Sequence, residues 1–215
     1  FNSSESIRKC DNKALTYLAL KNKGFPMPRT ILAPQTFPAV GYTDTAFVDA
    51  AARALGLPLI LKECFGSFGQ QVYLFDDLEK LRAKVVALAG TPMLFQQLVT
   101  ESYSRDVRVN VVGERVVASI LRKGENGDFR SNLTLGGSMQ PYTAGPEEEA
   151  LAVRAVQELG LTFAGVDVLF GKNGPLLCEV NSNAHFKTTL ECTGVNMAAE
   201  LLCEIARRLK PGERA

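Results

Sequence analysis

The sequence predicts an α+β fold built as two lobes in series. Segments near both ends and in the middle of the chain carry apolar residues three or four positions apart, the spacing of one helix face. Shorter segments between them, with alternating or continuous apolar residues, have the length of β-strands. Turn sequences such as Gly113-Glu114 separate consecutive strand segments, which is typical of hairpins. We therefore expect both helices and strands in each half of the chain.

The first lobe is predicted to occupy residues 1–92. A helix over residues 6–23 carries Leu15 and Leu18 on one stripe, and Gly24 ends it. The other predicted elements of this lobe are a helix over 44–56, a buried strand over 59–64, a tight loop over 66–69, a return strand over 71–75 and a helix from an aspartate cap at 76 or 77 to 90.

The second lobe is predicted to occupy residues 93–215, with the junction near 91–97. It opens with a strand over 93–99, and a helix over 146–160 begins at Pro146, a residue that the first helical turn tolerates. The other predicted elements are a hairpin of strands 106–112 and 115–122, a polar, Gly-rich loop over 124–145, a hairpin of strands 164–169 and 176–181, and a final helix over about 196–208.

The composition is that of a globular protein with an ample core, since 46% of the 215 residues are hydrophobic and 22% are charged. A net charge of +1 gives no strong attraction to nucleic acid or to an anionic membrane, so neither is expected as a partner. No apolar run approaches the roughly 20 residues that span a bilayer. Five scattered cysteines without CxxC spacing and one histidine favour free thiols in a cytoplasmic protein over disulfides or a zinc site.

Three oxygen-bearing side chains, Asp167, Glu179 and Asn181, lie at one end of the second predicted hairpin. Glu179 and Asn181 share a strand face, and the turn composition of residues 171–174 brings Asp167 next to Glu179 within one residue of register. Acids among apolar neighbours are costly to desolvate unless a charge compensates them. Oxygen-only ligands favour Mg²⁺ or Mn²⁺, and Mg²⁺ held by few protein groups usually also binds substrate phosphates. The same residues also fit two acids on a solvated strand face.

Lys62 ends a buried strand four residues before the loop Gly66-Ser67-Phe68-Gly69. Small residues let backbone N–H groups approach an anion, and a lysine at the strand end adds positive charge beside them. The segment is not a P-loop, because no GK[ST] sequence follows and the loop joins strand to strand. A plain turn with a surface lysine is the alternative.

Arg108 alternates with apolar neighbours and shares a strand face with Asp106 and Asn110. Three polar groups on one face indicate a solvated cleft in which an arginine could bind a phosphate through two hydrogen bonds. An ordinary exposed strand face is the alternative. Arg130 and Asn132 lie in a long polar loop, and such loops are often functional. Together these residues supply the cations and metal ligands that phosphoryl transfer needs.

Taken in the order in which they occur along the chain, these motifs resemble those of the ATP-grasp superfamily and, within it, of the RimK-like α-L-glutamate ligases. The resemblance covers residues 7–209, and the GDFRSN stretch narrows it from the superfamily to the RimK-like group. The stretches that carry it are residues 105–113 (RDVRVNVVG), 127–133 (GDFRSNL), 164–169 (AGVDVL), 174–176 (GPL) and 179–181 (EVN).

The resemblance implies an ATP-grasp fold, in which two α+β lobes clasp ATP, and it implies a role for each matching residue. The implied nucleotide contacts are Lys13 and Lys62 on the phosphates, the mobile loop 66–70 with Ser67, the adenine segment Gln97-Leu98-Val99, and Asp106 at the end of the nucleotide segment. The implied chemical groups are Arg108 and Arg130 on the transferring phosphate, Asp167, Glu179 and Asn181 on Mg²⁺, and Ser131 and Asn132 near the substrates.

Two departures from the RimK-like pattern affect what the resemblance implies. The ligands Glu-x-Asn are commonly followed by Ala-Ser-Pro-Gly, whereas residues 182–187 read SNAHFK. This segment and residues 193–195 (TGV) look closer to ligases that join amino acids to carrier proteins in lysine and arginine biosynthesis. Lys187 is then either a ligand of a substrate carboxylate or a surface lysine, and His185 either contacts substrate or is structural.

The second departure is that family members also carry a leading α/β domain, so the resemblance implies an isolated module or a fragment.

The activity implied by the resemblance is that of an ADP-forming carboxylate–amine ligase. Such an enzyme would form an acyl phosphate and add glutamate or another amino acid to a protein, a peptide or a small-molecule carboxylate, with ATP and Mg²⁺ or Mn²⁺ as cofactors. Homo-oligomer formation is left open. One rival is a non-catalytic Mg–ATP-binding module or a fragment of a larger ligase. Another is an ATP-grasp enzyme of different specificity, such as a D-alanine-type ligase, which the GDFRSN stretch disfavours.

Overall fold

The computed structural model describes residues 1–125, 127–131 and 136–209. Within these residues there are two antiparallel sheets, and helices pack on each of them. The first sheet has the strand order β1-β4-β2-β3 and comprises β1 (Thr30–Leu32), β2 (Leu59–Glu63), β3 (Val72–Phe75) and β4 (Met93–Gln97). Helices α3 (Ala46–Leu55) and α4 (Leu78–Ala87) pack on it, and their shared core contains Val48, Leu59, Leu61, Leu81, Val85 and Phe95.

The second sheet has the order β7-β6-β5-β8-β9 and is antiparallel throughout. Its strands are β5 (Arg105–Val112), β6 (Arg115–Lys123), β7 (Ser138–Pro141), β8 (Phe163–Gly171) and β9 (Gly174–Asn181). Valines 107, 109 and 111 of β5 face a core shared with helix α5 (Pro146–Glu158). Because strand residues alternate between faces, Asp106, Arg108 and Asn110 lie on the opposite face.

The N-terminal segment forms two helices, α1 (Ser4–Cys10) and α2 (Lys13–Leu20), where the sequence predicts one over 6–23. Asn12 separates them, because its side-chain oxygen accepts hydrogen bonds from the backbone N–H groups of Ala14, at 2.9 Å, and Leu15, at 3.2 Å. The break places Lys13 at the start of α2, where its backbone N–H donates to the carbonyl of Cys64 at 2.9 Å. Cys10 and Leu20 are buried in the core of the second sheet.

The predicted strand 93–99 belongs to the first sheet, although the sequence assigns it to the second lobe. It forms β4 (Met93–Gln97), which pairs with both β1 and β2 in the interior of that sheet. The division into lobes at residue 92 stays a prediction, and the pairing of β4 favours a boundary after Gln97. A 3₁₀ turn over Thr100–Ser102 connects the two sheets.

The remaining predicted elements have counterparts close to their expected bounds, and three short elements besides the 3₁₀ turn were not predicted. Asp77 caps α4 through a 2.8 Å bond from the N–H of Lys80, and Asn196 caps the last helix, α7 (Met197–Leu209). The unpredicted elements are β1, β7 and helix α6 (Lys187–Thr193). β1 and β7 are edge strands of three and four residues, too short to show a reliable alternation. No helix in the described part of the chain combines the length and apolarity needed to cross a bilayer.

Glu204 of helix α7 is buried, with 6% of its side chain exposed. It accepts hydrogen bonds from Arg207 at 3.0 Å and from Arg208 at 2.6 Å. The hydrogen bond from Arg207, opposed by partial desolvation and reinforced by Arg208, lowers the pKa of Glu204 from 4.5 to about 2. Its ionised form is therefore favoured in the folded state.

We predict that Glu204→Gln lowers the free energy of unfolding by about 1–3 kcal/mol at neutral pH, because two arginines lose a buried charged acceptor. Since the folded-state pKa is depressed, this contribution is fully present above pH 4.5 and is lost as the pH falls toward about 2. Urea denaturation of both proteins from pH 7 to pH 2.5 measures the difference. Glu200→Gln, which removes a more exposed ion pair with Arg115, is the control and should cost less than about 1 kcal/mol. An unchanging difference between wild type and Glu204→Gln across this range would contradict the assignment.

Candidate active site between the two sheets

A cavity of about 740 Å³ lies between the two sheets and is lined by residues of both. It brings together most of the site residues that the sequence singles out. Those lining it are Lys13, Lys62, Ser67, Gln97, Leu98, Val99, Asp106, Arg108, Arg130, Ser131, Asp167, Glu179 and Asn181. Residues far apart in the chain therefore face one common space.

The hairpin of β8 and β9 places Asp167 directly opposite Glu179, and Gly165 opposite Asn181. The pairing shifts by one residue between Asp167 and Val168, which leaves Cys178 as the extra residue of a β-bulge. On the other side of β8, Asp167 lies opposite Arg108 of β5. The predicted juxtaposition of Asp167 and Glu179 is confirmed, and Arg108 extends the same row across three strands.

Asp167 is buried, with 7% of its side chain exposed, so the alternative of acids on a solvated strand face is wrong for this residue. Arg108 binds it through two hydrogen bonds, one from Nε to Oδ1 and one from Nη2 to Oδ2 at 2.8 Å. Arg122 reaches the same Oδ2 with its Nη2 at 3.0 Å. Burial by itself would raise the pKa of Asp167, but the two guanidinium groups outweigh it and lower the pKa to about 2.

Arg122, on β6, is a site residue that the sequence analysis missed. Its Nε and Nη2 bind Asp106 at 2.7 and 2.6 Å, and it also lines the cavity. Burial opposes its charge, but Asp167 and Asp106 outweigh that effect and raise the pKa of Arg122. The face of β5 with Asp106 and Arg108, predicted to be a solvated cleft, is therefore mostly filled by paired charges. The sequence feature that could have identified Arg122 is its position opposite Asp106 across the predicted hairpin. A register shift after Asn110 makes that pairing hard to predict.

The oxygen donors of Asp167, Glu179 and Asn181 fit a hard divalent cation by their chemistry. Asp167 Oδ2 already accepts from Arg108 and Arg122, and lies 3.5 Å from the Asn181 amide nitrogen. Glu179 is approached by the ammonium of Lys13 at 3.8 Å. Among the described residues, no group of three or more His, Cys, Asp or Glu side chains could hold a metal. The donor set of the site is thus two carboxylates and one amide.

Two lysines reach the cavity from the first sheet and the N-terminal helices. Lys62 is buried rather than on the surface, and its Nζ lies 3.7 Å from the sulfur of Cys178. Lys13 donates from Nζ to the carbonyl of Gly66 at 2.9 Å. The alternative of a surface lysine at position 62 is therefore wrong.

The Gly-rich segment between β2 and β3 is held from both sides of the cavity. Besides the bond from Lys13 to Gly66, Arg130 donates from Nη1 to the carbonyl of Gly69 at 2.8 Å. Asp128 fixes that arginine, with its Oδ2 2.7 Å from Nη2. Arg130 thus connects the polar loop of the second sheet to the Gly-rich loop of the first. Gly66 has a φ of +124°, and a Cβ there would overlap Oε1 of Gln71, so the position admits only glycine without rearrangement.

The segment that leaves β4 forms another wall of the cavity. Gln97 receives a hydrogen bond on its side-chain oxygen from Arg29 at 3.0 Å, and its backbone N–H donates to the Arg29 carbonyl at 2.9 Å. The carbonyl of Val99 accepts from the N–H of Ser102 at 3.0 Å. Leu98 lies between these two fixed points, at the junction of the sheets.

Among the described residues, one predicted site residue, Lys187, does not line the cavity. Lys187 lies at the start of α6 with 87% of its side chain exposed, and it pairs with Glu191 at 3.7 Å. Asn132 falls outside the described residues. His185, by contrast, lines the cavity, and its ring packs edge-on against Phe68 with centroids 5.6 Å apart.

Comparison with known proteins gives matches over almost the whole chain. The chain is 36% identical over 209 residues to a Mycoplasma pneumoniae protein named "Uncharacterized protein MG012 homolog", and the match covers 95% of this chain and 72% of that protein. It is 34% identical over 214 residues to a "Probable alpha-L-glutamate ligase" of Maridesulfovibrio salexigens, over 99% and 68% of the two chains. The solved structure of the ATP-grasp ligase PsnB complexed with minimal precursor superposes with a TM-score of 0.75 at 23% identity. The superposition covers 98% of this chain and 63% of the PsnB chain, and the likeness concerns the fold.

The family model described as the RimK-like ATP-grasp domain matches residues 10–205. Together with the relatives above, this match confirms the resemblance and the ATP-grasp fold that the sequence predicts. The chain therefore belongs to the RimK-like ATP-grasp family, whose members are ATP-dependent, ADP-forming ligases.

Proposed function

We propose that this chain carries the site of a ligase that joins a substrate carboxylate to the amine of an amino acid, glutamate first among the candidates. The observation that carries the proposal is the convergence of oxygen donors and four cationic side chains on one cavity: Asp167, Glu179 and Asn181 with Lys13, Lys62, Arg108 and Arg122. The name of the Maridesulfovibrio relative supports glutamate, and the PsnB structures with precursor peptides support a peptide as one class of acceptor.

In the proposed arrangement, ATP lies between the sheets with its adenine against Gln97-Leu98-Val99 and its phosphates toward Lys13, Lys62 and the loop 66–70. Asp106 closes the nucleotide end. Ser131, together with Asn132 from outside the described residues, is assigned to substrate binding. Asp167, Glu179 and Asn181 would hold Mg²⁺, which, when bound, neutralises charge on the β- and γ-phosphates. A solved PsnB complex with Mg and ADP supports this choice of metal.

The proposed reaction has two steps. A carboxylate oxygen of the acceptor attacks the γ-phosphorus, the bond from that phosphorus to the β-phosphate bridging oxygen breaks, and ADP leaves. The amine nitrogen of the amino acid then attacks the acyl carbon, phosphate leaves, and the nitrogen loses a proton to give the amide. The role of Arg108, Arg130 and the two lysines is to position the phosphates and oppose their negative charge, which is the main source of catalysis in phosphoryl transfer.

Lys13 and Arg130 both donate hydrogen bonds to carbonyl groups of the Gly-rich loop, and these bonds would have to break before either cation could bind a phosphate. Each cation donates to a neutral oxygen, at 2.9 Å from Lys13 to Gly66 and at 2.8 Å from Arg130 to Gly69. Phosphate oxygens are charged acceptors and form the stronger bonds. Nucleotide binding would therefore exchange carbonyl acceptors for phosphate oxygens while the loop stays above the cavity.

We predict that Glu179→Gln and Lys62→Ala each abolish ADP release, because each removes a charge aimed at the phosphates and such contacts are worth about 10²- to 10³-fold in rate. A coupled assay for ADP with a pool of amino acids and candidate carboxylates measures this, and mass spectrometry identifies the amide product. Glu114→Gln and Lys172→Ala are matched controls, since both residues are exposed in turns of the second sheet. Near-native turnover in either site variant would refute the assignment. Titration of the wild type with ATP and Mg²⁺ that shows binding without turnover would favour the rival, a non-catalytic nucleotide-binding module.

We also predict that Gly66→Ala weakens the apparent affinity for Mg–ATP by roughly ten-fold, which corresponds to about 1.4 kcal/mol of strain and displacement in the loop. Titration calorimetry with a non-hydrolysable ATP analogue measures the change. Gly41→Ala is the control, because Gly41 also has a positive φ, +69°, but a Cβ there would meet no described atom within 4 Å, and the residue lies away from the cavity. Equal affinities of the two variants would show that the loop does not contact the phosphates.

A further inference from the structure

Arg122 is one of the four cations of the cavity, but the proposed reaction gives it no contact with ATP or substrate, and its guanidinium is paired with two aspartates. It lies on β6 with 9% of its side chain exposed. Its guanidinium binds Asp106 of β5 through two hydrogen bonds, at 2.7 and 2.6 Å, and reaches Asp167 of β8 at 3.0 Å. With Arg108, which holds the other side of Asp167, these residues form a continuous row of alternating charges.

The row connects two carboxylates, Asp106 and Asp167, that bind different ligands in the proposed function. Asp106 is assigned to the nucleotide, and Asp167 is assigned to the metal. The two aspartates lie on adjacent strands of the same sheet, and Asp167 is paired in register with Arg108 rather than with Asp106. This pairing sets the backbone positions of the two aspartates on β5 and β8 but not the rotamers of their carboxylates. A single planar guanidinium, which donates in a fixed fork, can fix both.

The two aspartates depend on Arg122 to different degrees. Asp167 has a second cationic partner in Arg108, with a hydrogen bond of 2.8 Å to Oδ2. Among the described residues, Asp106 has an ion pair with Arg122 alone. Loss of Arg122 would leave Asp106 buried and uncompensated, and a carboxylate in that position turns away, takes up a proton or draws in water. Asp167 would stay bound to Arg108 but would lose one of its two lateral restraints.

We infer that Arg122 is a positioning residue that couples the nucleotide and metal subsites by holding Asp106 and Asp167 in one fixed arrangement. The inference rests on the proposed function, because it takes the ligands of the two aspartates from there. Arg122 itself contacts neither ligand in this role. A residue that served stability alone would not need to join two carboxylates that have separate ligands. Its loss would weaken nucleotide binding and metal binding no more than another substitution that lowers stability equally.

The test measures two affinities in each protein by titration calorimetry: that of ADP in EDTA, and that of Mg²⁺ or Mn²⁺ for the ADP-saturated protein. The variants are Arg122→Met, which keeps the length of the side chain without its charge, and Arg122→Lys, which keeps the charge without the fork. Arg115→Met is the matched control, because Arg115 is on the same strand, is exposed and pairs with Glu200 away from the cavity.

We expect Arg122→Met to weaken ADP binding in EDTA and metal binding to the ADP complex by about ten-fold or more each. Arg122→Lys should recover thermal stability toward that of Arg115→Met but leave both affinities weakened, because a lysine cannot bind two carboxylates in the same geometry. The inference would be overturned if Arg122→Lys bound ADP and metal within two-fold of Arg115→Met. It would also be overturned if the Arg122 variants changed only one of these two affinities. A wild-type protein that binds no nucleotide would instead overturn the proposed function.

A double-mutant cycle keeps the inference testable if the Arg122 variants fail to fold. Asp106→Asn, Asp167→Asn and the double variant leave Arg122 in place, and ADP affinity in EDTA is measured for all three. If Arg122 links the two carboxylates, the effects of the single changes do not multiply, because each change alters how the guanidinium holds the other. Effects that multiply to within about two-fold would contradict the coupling.

Discussion

The arrangement of the cavity depends on how the buried carboxylate of Asp167 is compensated. The guanidinium groups of Arg108 on β5 and Arg122 on β6, the two strands of one hairpin, reach the oxygens of Asp167. They keep this carboxylate ionised in a place where burial alone would favour its protonation. A charge of this kind is strongly unfavourable without partners. The strand pairing that brings Arg108 opposite Asp167, and the hairpin that brings Arg122 beside it, are thus required by the same electrostatic constraint. The position of Glu179 across the bulge then completes the acidic end of the cavity.

Much of this could be predicted from the sequence because the relevant signals are local. The turn composition of residues 171–174 sets the register of the hairpin to within one residue, and the alternation along each strand shows which side chains share a face. The aspartate cap of α4 was equally readable. Family resemblance then identified the fold. These elements needed only neighbouring residues, or residues joined by a short turn.

The remaining features depend on contacts between distant residues, for which one sequence gives no signal. A metal ion was expected to compensate Asp167, whereas in the structure arginines do so, and the part played by Arg122 becomes visible only once the β5–β6 register is known. The break between α1 and α2 follows from Asn12, whose capping bonds compete with continuation of an otherwise helical pattern. The sheet membership of β4 is decided by its pairing with β1, a three-residue edge strand too short to predict. Lys187 shares its segment with cavity residues such as His185, but the start of α6 directs it toward Glu191.

In the proposed site, the oxygen donors of β8 and β9 hold a divalent metal beside the phosphates of a nucleotide. The decisive experiment is anomalous scattering, collected near the manganese edge, from a crystal of the protein grown with ADP and Mn²⁺. We expect an anomalous peak between the side chains of Asp167, Glu179 and Asn181, at roughly 2.1 Å from their oxygens, with the ADP phosphates on its other side. Bound ADP with the manganese peak elsewhere, or with Asp167 and Glu179 turned away from the ion, would refute the proposed metal site.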